Sequence, residues 1–393
     1  MSPSNKYKMV IFSMAFLTMS LLIVVPTLAA TAKEYPQVPI IQIMYLVALP
    51  TIFSVPASLS MGFLRKKFSS KAIAVTGMIL FLISGLTIPF IEDFYMILAM
   101  RCVNGIALGI NGAIHVALIA ELFPPQERAD VMGVRTSFYT GGGLVYSLLS
   151  GYIVQNYGWR YSYYLYAVAA LALLIILAYL PSKKVAEANQ AVSSTAASSV
   201  KEPYNWGVYF ILFMTFIAYA CAPVIGNNMA MHITGRALGD NSMVGVALAI
   251  NVGFGALVGI WFKKIASVTK RYTYAVGALT MGMGLSIVGL ADSFSVVAIG
   301  QILAGFGWTV IVSQGNMLMF QNTTTLNRAM AISIMVAMGN FAQFLCPNIT
   351  VPLASVLFGN TPADRFLVAG SGLLILSVIA ALVDPKKAIP PNT

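Results

Sequence analysis

One apolar segment carries most of the chemistry this chain offers. Arg101, Asn104, Leu108, Asn111 and His115 follow one another at spacings of three, four, three and four. At 100° per residue they form a single stripe on a helix. Arg101 and His115 then stand about 21 Å apart along its axis. A guanidinium in an apolar segment is costly and is kept mostly where it faces a polar path. It is also suited to forked recognition of a carboxylate or phosphate. Asn104 and Asn111 read either as a wall facing a polar solute or as hydrogen bonds joining helices. His115 either titrates, and so couples to protons, or is a satisfied structural histidine.

A second buried cation, Arg135, lies in the next segment, about 7 Å from its predicted start. It either snorkels to headgroups or forms a basic mouth to a cavity. In the second half of the chain Gln301 stands where Arg101 stands in the first, and Trp308 follows two turns on along the same face. An amide and an indole suit a polar or amphipathic solute; the indole equally suits packing. The residues expected to meet a solute are therefore Arg101, Asn104, Asn111, Arg135, Gln301 and Trp308, with His115 the candidate for proton coupling. Pairing options for Arg101 are backbone carbonyls, hydroxyls such as Ser13, Thr18 or Ser20, or a bound anion.

The chain has 12 acidic residues, and none falls inside an apolar segment core. A cationic interior without a carboxylate points to an anionic or polar solute. It argues against a pump built around a buried Asp or Glu.

These groups must be held by membrane-spanning helices. Of 393 residues, 59% are hydrophobic and 9% charged, against roughly a quarter charged in soluble domains. The fold class is an all-α integral membrane protein. A crossing needs about 20 apolar residues, and twelve segments meet that length: 9–30, 39–63, 72–91, 94–119, 131–154, 161–181, 206–227, 242–262, 272–290, 294–319, 330–356 and 366–383. The first lacks a convincing cleavage site and reads as a retained helix. Pro26, Pro50, Pro56, Pro223 and Pro347 are expected to kink their helices, and Gly141-Gly142-Gly143 permits close helix approach. Tyr161, Tyr163, Tyr164 and Tyr166 sit where an interfacial aromatic belt is expected. His232 is placed in an outer loop.

The polar stretch 182–205 divides the chain into a six-helix bundle over 1–181, a flexible linker and a second bundle over 206–393. Seventeen loop cations lie on the linker's side of the membrane, among them Lys6, Lys8, Lys71, Lys183 and Lys184. Only Lys33, Arg160, Arg236 and Arg365 lie in loops on the other. By the positive-inside rule the termini and the linker are cytoplasmic. A net charge of +11 would suggest nucleic acid in a soluble protein. Here the charge meets lipid headgroups instead, and nucleic acid is not expected as a partner. In a background where Cys102, Cys221 and Cys346 are replaced, Gln190→Cys should resist a membrane-impermeant maleimide in intact cells. Arg236→Cys should react. The opposite pattern would invert the topology.

No Walker loop, metal cluster or nucleophile constellation occurs, so neither enzymatic activity nor a cofactor is expected. The three cysteines show no metal or redox spacing and no disulfide framework. Compact loops without an external glycosylation acceptor favour a prokaryotic cytoplasmic membrane.

The halves repeat each other. Pro26 matches Pro223 and Gly62 to Lys67 matches Gly259 to Lys264, both 197 residues on; Gly105 matches Gly305 and Arg128-Ala129 matches Arg328-Ala329, both 200 on. Duplicated halves are a known transporter plan, with the solute near the midplane and one half rocking against the other.

These features together resemble the major facilitator superfamily, in its 12-helix branch that includes drug:proton antiporters. The residues that carry the resemblance are Gly62…Lys66-Lys67…Lys71, Arg101-Cys102-Val103-Asn104-Gly105, Phe123-Pro124-Pro125-Gln126-Glu127-Arg128 and Tyr157-Gly158-Trp159-Arg160. The resemblance implies a V-shaped bundle with helices 1, 4, 7 and 10 lining a central cavity. It implies a gating role for the loops bearing Gly62, Lys66, Lys67 and Arg128, and proton coupling for the Arg101 position. It also shows departures. Lys66-Lys67 replaces the family's Asp–Arg pair, so the usual latch at a helix N-terminus is missing. Helix 5 keeps only part of its antiporter motif, at Tyr146-Ser147…Ser150-Gly151, and helix 1 has no acid.

The expected function is secondary active transport, by alternating access, of a small organic anion or a polar amphipathic solute. The alternatives are a proton-coupled multidrug exporter and a membrane receptor or assembly partner on the same scaffold. The expected partners are the solute, membrane lipids and either protons or a counter-anion, with the chain a monomer.

Overall fold

The computed structural model of the chain describes residues 3–181, 204–323 and 328–383. The linker 182–205, but for its last two residues, lies outside them, as do Lys386, Lys387 and the side chain of Arg328.

The twelve apolar segments all coincide with helix. Helix α1 (Pro3–Leu17) leads through two 3-10 turns into α2 (Leu28–Glu34). There follow α3 (Ile40–Leu59), the short α4 (Met61–Lys67), α5 (Ser70–Leu86), α6 (Phe94–Leu122), α7 (Pro125–Tyr157), the short α8 (Trp159–Ser162) and α9 (Val168–Tyr179). The second half holds α10 (Trp206–Cys221), α11 (Val224–Gly235), α12 (Asn241–Thr269), α13 (Thr273–Leu290), α14 (Phe294–Asn322), α15 (Arg328–Leu357) and α16 (Pro362–Leu382). Among the described residues nine helices are long and apolar enough to cross a membrane, and ten when the bent pair Ser4–Leu17 with Ser20–Glu34 is one span. One of the nine runs Asn241–Leu290; it contains α12 and α13, two predicted crossings. The remaining segment, α7, carries Glu127, Arg128, Asp130 and Arg135 along its 33 residues.

Sequence marks several helix starts. Asp93 caps α6 by accepting from Met96 N at 2.8 Å, Ser69 caps α5, and Asn205 caps α10. Thr361 and Asp364 form a reciprocal capping box on α16 behind Pro362. Helix 1 is not one rod: its two parts meet at 42°. Pro26 lies in the second 3-10 turn and Pro223 at the start of α11, so both matched prolines mark a break. Pro50, Pro56 and Pro347 sit inside continuous helices.

The elements up to Tyr179, together with Asp240–Ala249, form one unit; the remaining described elements form a second. In the first unit Gly105 of α6 lies against the carbonyl of Pro50 in α3. In the second, Gly305 of α14 lies against the carbonyl of Asn251 in α12. A Cβ at either glycine would collide with backbone, so each requires a bare Cα for helix contact. The matched glycines thus make matched contacts. Gly142 of α7 similarly meets the carbonyl of Phe16 in α1.

Several expectations are corrected. The stretch from Gly62 to Lys67 is helical, as α4, rather than a loop. Tyr161 and Tyr164 point outward, but Tyr163 and Tyr166 are fully buried, because a 3-10 turn has three residues per turn and puts residues three apart on one face. His232 is not in a loop: α11 continues the seventh span past Pro223, and the ring is buried edge-on against Phe366 at 5.3 Å. Arg365 is likewise no loop residue. It sits in the first turn of α16, buried, bonded to Asn228 Oδ1 at 3.0 Å and to Asn360 O at 2.9 Å.

Candidate functional site

The polar stripe of α6 faces into the first unit. Arg101, Asn104 and His115 are 0% exposed and Asn111 is 2% exposed. The reason begins in α3. Pro50 has no N–H, so the carbonyl of Leu46, one turn earlier, loses its helical donor. Arg101 Nε donates to that carbonyl at 2.7 Å. Its Nη1 donates to Asn104 Oδ1 and to Tyr166 Oη, each at 2.9 Å. Asn104 Nδ2 in turn donates to Ser84 Oγ of α5 at 3.2 Å. Arg101 therefore joins α3, α6 and the turn before α9, and its Nη2 is buried without a partner. Of the pairing options, a backbone carbonyl and a hydroxyl are realised, but the hydroxyl comes from Tyr166 rather than helix 1. Asn111 packs over Gly77 of α5 with both side-chain amide atoms unbonded.

The lower end of the stripe reaches α7. Arg135 Nε donates to His115 Nε2 at 2.9 Å, and His115 Nδ1 lies 2.5 Å from the carbonyl of Asn111. A nitrogen that accepts from a guanidinium carries no proton, so the Nδ1–H tautomer is the one that satisfies both contacts. The imidazole is neutral and orients the guanidinium. Arg135 also lies over the ring of Tyr139 at 5.3 Å. Helix α7 begins at Pro125, which puts Arg135 about 15 Å into it rather than 7 Å. The charged first turns, expected as loop, are helix, because polar turns beyond the hydrocarbon keep their helical bonds in water.

Among the described residues the ion pairs are Arg65–Glu121 at 3.0 Å, Arg160–Glu34 at 2.7 Å and Arg236–Asp292 at 3.2 Å. Among the described residues Arg101 and Arg135 have no acidic partner. Arg135 Nη1 and Nη2 make no hydrogen bond among the described residues, so the terminal fork is open. The gating candidates behave differently. Arg65, not Lys66 or Lys67, pairs with Glu121. Lys67 lies over Phe63, and Arg128 donates to the carbonyls of Ala120 and Phe123, closing the end of α6. Gly62 has open space around it.

In the second unit Gln301 is fully buried with both side-chain amide atoms unbonded, while its backbone carbonyl accepts from Asn251 Nδ2 at 3.3 Å. Trp308 is half-buried and stands edge-on to Tyr219, ring centres 4.7 Å apart. Sequence reading missed Tyr166, Leu46 and Tyr219. Of these, only Leu46 left a signal: a proline four residues after it frees its carbonyl. Among the described residues no three metal-binding side chains come together.

The family profile described as Major Facilitator Superfamily matches residues 10–347. The cis,cis-muconate transport protein of Acinetobacter baylyi is 23% identical over 348 residues, 84% of this chain and 82% of that protein. The 3-(3-hydroxy-phenyl)propionate transporter of Escherichia coli is 21% identical over 344 residues, 84% of this chain and 83% of its own. Among solved structures, a D-xylose-proton symporter aligns with a TM-score of 0.75 over 99% of this chain and 98% of its own, at 16% identity. That last likeness is one of fold alone.

Proposed function

This chain belongs to the Major Facilitator Superfamily and is a secondary transporter, and on that premise we propose that it carries a small organic carboxylate recognised by Arg135. The observation that carries this reading is the state of that guanidinium. It lies within a membrane helix, is anchored through Nε to a neutral His115 and, among the described residues, has no acidic partner and no hydrogen bond at Nη1 or Nη2. Two parallel donors match a carboxylate, and a site with little water strengthens the pair. Tyr139 beneath the guanidinium adds an aromatic face suited to an unsaturated or aromatic acid. Muconate and hydroxyphenylpropionate, the solutes in the two relatives' names, are acids of that kind. Arg101 acts in this reading as the fixed cation behind the site, holding α3 and α6 in place, with Asn104 and Asn111 on the same helix. In the second unit the free amide of Gln301 and the Tyr219–Trp308 pair supply groups of matching chemistry.

The membrane is a bacterial cytoplasmic one, with both termini inside. Coupling follows from the same geometry. His115 uses both ring nitrogens in its neutral form, so the proton travels on the solute acid or a counter-anion is exchanged. Export of lipophilic drug cations is the weaker reading, because no acidic residue lies in the interior of a span to receive a cation.

Proteoliposomes test both points. With an imposed pH gradient, cis,cis-muconate or 3-(3-hydroxyphenyl)propionate should accumulate and tetraphenylphosphonium should not. His115→Gln should keep most of the uptake, since a glutamine Oε1 can still accept from Arg135. Saturable uptake of the cation without the acids would remove the carboxylate assignment. Loss of gradient-driven uptake in His115→Gln, with solute binding intact, would make His115 the proton carrier. A protein that binds an acid but moves none would be a receptor.

A further inference from the structure

We propose that the groove between α1, α7 and α9 holds one acyl chain of an anionic phospholipid from the cytoplasmic leaflet, with the headgroup at Lys6 and Lys71. The groove has a volume of about 270 Å³ and is walled by Met9, Phe12 and Phe16 of α1, Phe138 of α7, and Leu171 and Ile175 of α9. Its one polar wall residue, Ser13, is satisfied by the carbonyl of Val10 at 2.9 Å. Phe12 and Phe138 stack at 4.9 Å, joining the α1 and α7 walls.

The rim shows which solvent the groove meets. Leu171 of the α9 wall and Phe138 of the α7 wall are both well exposed, and Leu174 and Leu177 farther along α9 are exposed too. Large apolar side chains presented outward by a membrane helix face lipid. At about 270 Å³ the groove falls just below the roughly 300–1,000 Å³ typical of small-molecule sites, and it suits part of a single chain.

Length and charge select the lipid. From Lys6 to Phe16 the helix rises about 15 Å, half of a hydrocarbon core about 30 Å thick. The walls on α1 run from Met9 to Phe16, a rise of about 10 Å, so it is the distance from Lys6 to the bottom of the groove, not the groove alone, that matches one leaflet. At its cytoplasmic end Lys6 lies over Tyr179 at 5.7 Å, and Lys71 Nζ donates to the carbonyl of Leu177 at 2.7 Å. Both lysines sit at the C-terminus of α9, where cations are favoured. No acidic residue occurs between Met1 and Lys33 or between Val131 and Pro181; the acid beside Lys71 is Glu121 of α6, which accepts from Ser70 Oγ at 2.8 Å and is paired with Arg65 at 3.0 Å. A cationic end over an apolar groove complements an anionic headgroup above its own chain.

The test is lipid retention by the full chain, measured by native mass spectrometry after incubation with equal phosphatidylglycerol and phosphatidylcholine of the same acyl chains. Wild type should retain phosphatidylglycerol preferentially. Lys6→Gln with Lys71→Gln should weaken that preference by about fivefold for each lysine removed, with helicity and melting temperature unchanged. Leu171→Trp, which narrows the rim, should lower retention of phosphatidylglycerol while leaving the lysines in place. Equal retention of the two lipids by wild type would overturn the proposal, as would a preference indifferent to the lysine variant. So would displacement by free glycerol phosphate, which carries the headgroup charge without the chain. Binding of an aromatic carboxylate that Leu171→Trp blocks would make the groove a solute site instead.

Discussion

Arg101→Ala is expected to destabilise the purified protein by about 2–5 kcal/mol, the range for leaving several buried polar groups unpaired. The side chain is fully buried and is the donor to Leu46 O, Asn104 Oδ1 and Tyr166 Oη. Without it the Leu46 carbonyl has no donor at all, because Pro50 cannot supply one. Arg101→Lys keeps the charge but not the planar fork that reaches two directions at once, and should recover only part of the loss. A double-mutant cycle isolates the cause. Pro50→Ala returns a backbone N–H to Leu46, so Arg101→Ala should cost less in that background than in wild type. Melting curves in detergent, read with helicity, measure all four proteins. If Arg101→Ala melts like wild type yet no longer binds solute, the residue belongs to the site rather than to its support.

This bond shows where sequence reading stopped. The apolar segments follow from local composition, and helices coincide with them. The contact between Arg101 and Leu46 joins residues 55 apart. Only the missing N–H of Pro50 hinted that a donor would be needed there. The stripe on α6 was legible as a stripe, because helical spacing fixes which residues share a face. Which neighbour that face meets is a tertiary fact, and here it is α3 and α5. Hydropathy falls at His232 and Arg365, which predicts loops at both. Yet each is buried, the first against Phe366 and the second on Asn228 and Asn360. Hydropathy averages over a window and cannot see one polar group that finds partners. The tyrosines after Arg160 failed similarly: a 3-10 turn, not a regular helix, decides that Tyr163 and Tyr166 turn inward.

The second large effect is expected at Arg135, and it separates binding from stability. Arg135→Ala should weaken carboxylate binding by about 10–100-fold, the worth of hydrogen bonds to a charged group. It should change the melting temperature little, since the residue is only half-buried and bonds through a single nitrogen. Arg135→Lys should fall between, holding a positive charge near the solute without two parallel donors. His115→Ala removes the acceptor that fixes Nε and should weaken binding by a smaller factor, because the fork survives but is less well oriented. Combined with Arg135→Ala it should add almost nothing, since its effect passes through the guanidinium. Titration calorimetry with an aromatic or dienoic carboxylate reads these affinities directly. If Arg135 instead served lipid headgroups, Arg135→Ala would leave carboxylate affinity at the wild-type value, and His115→Ala would be equally silent.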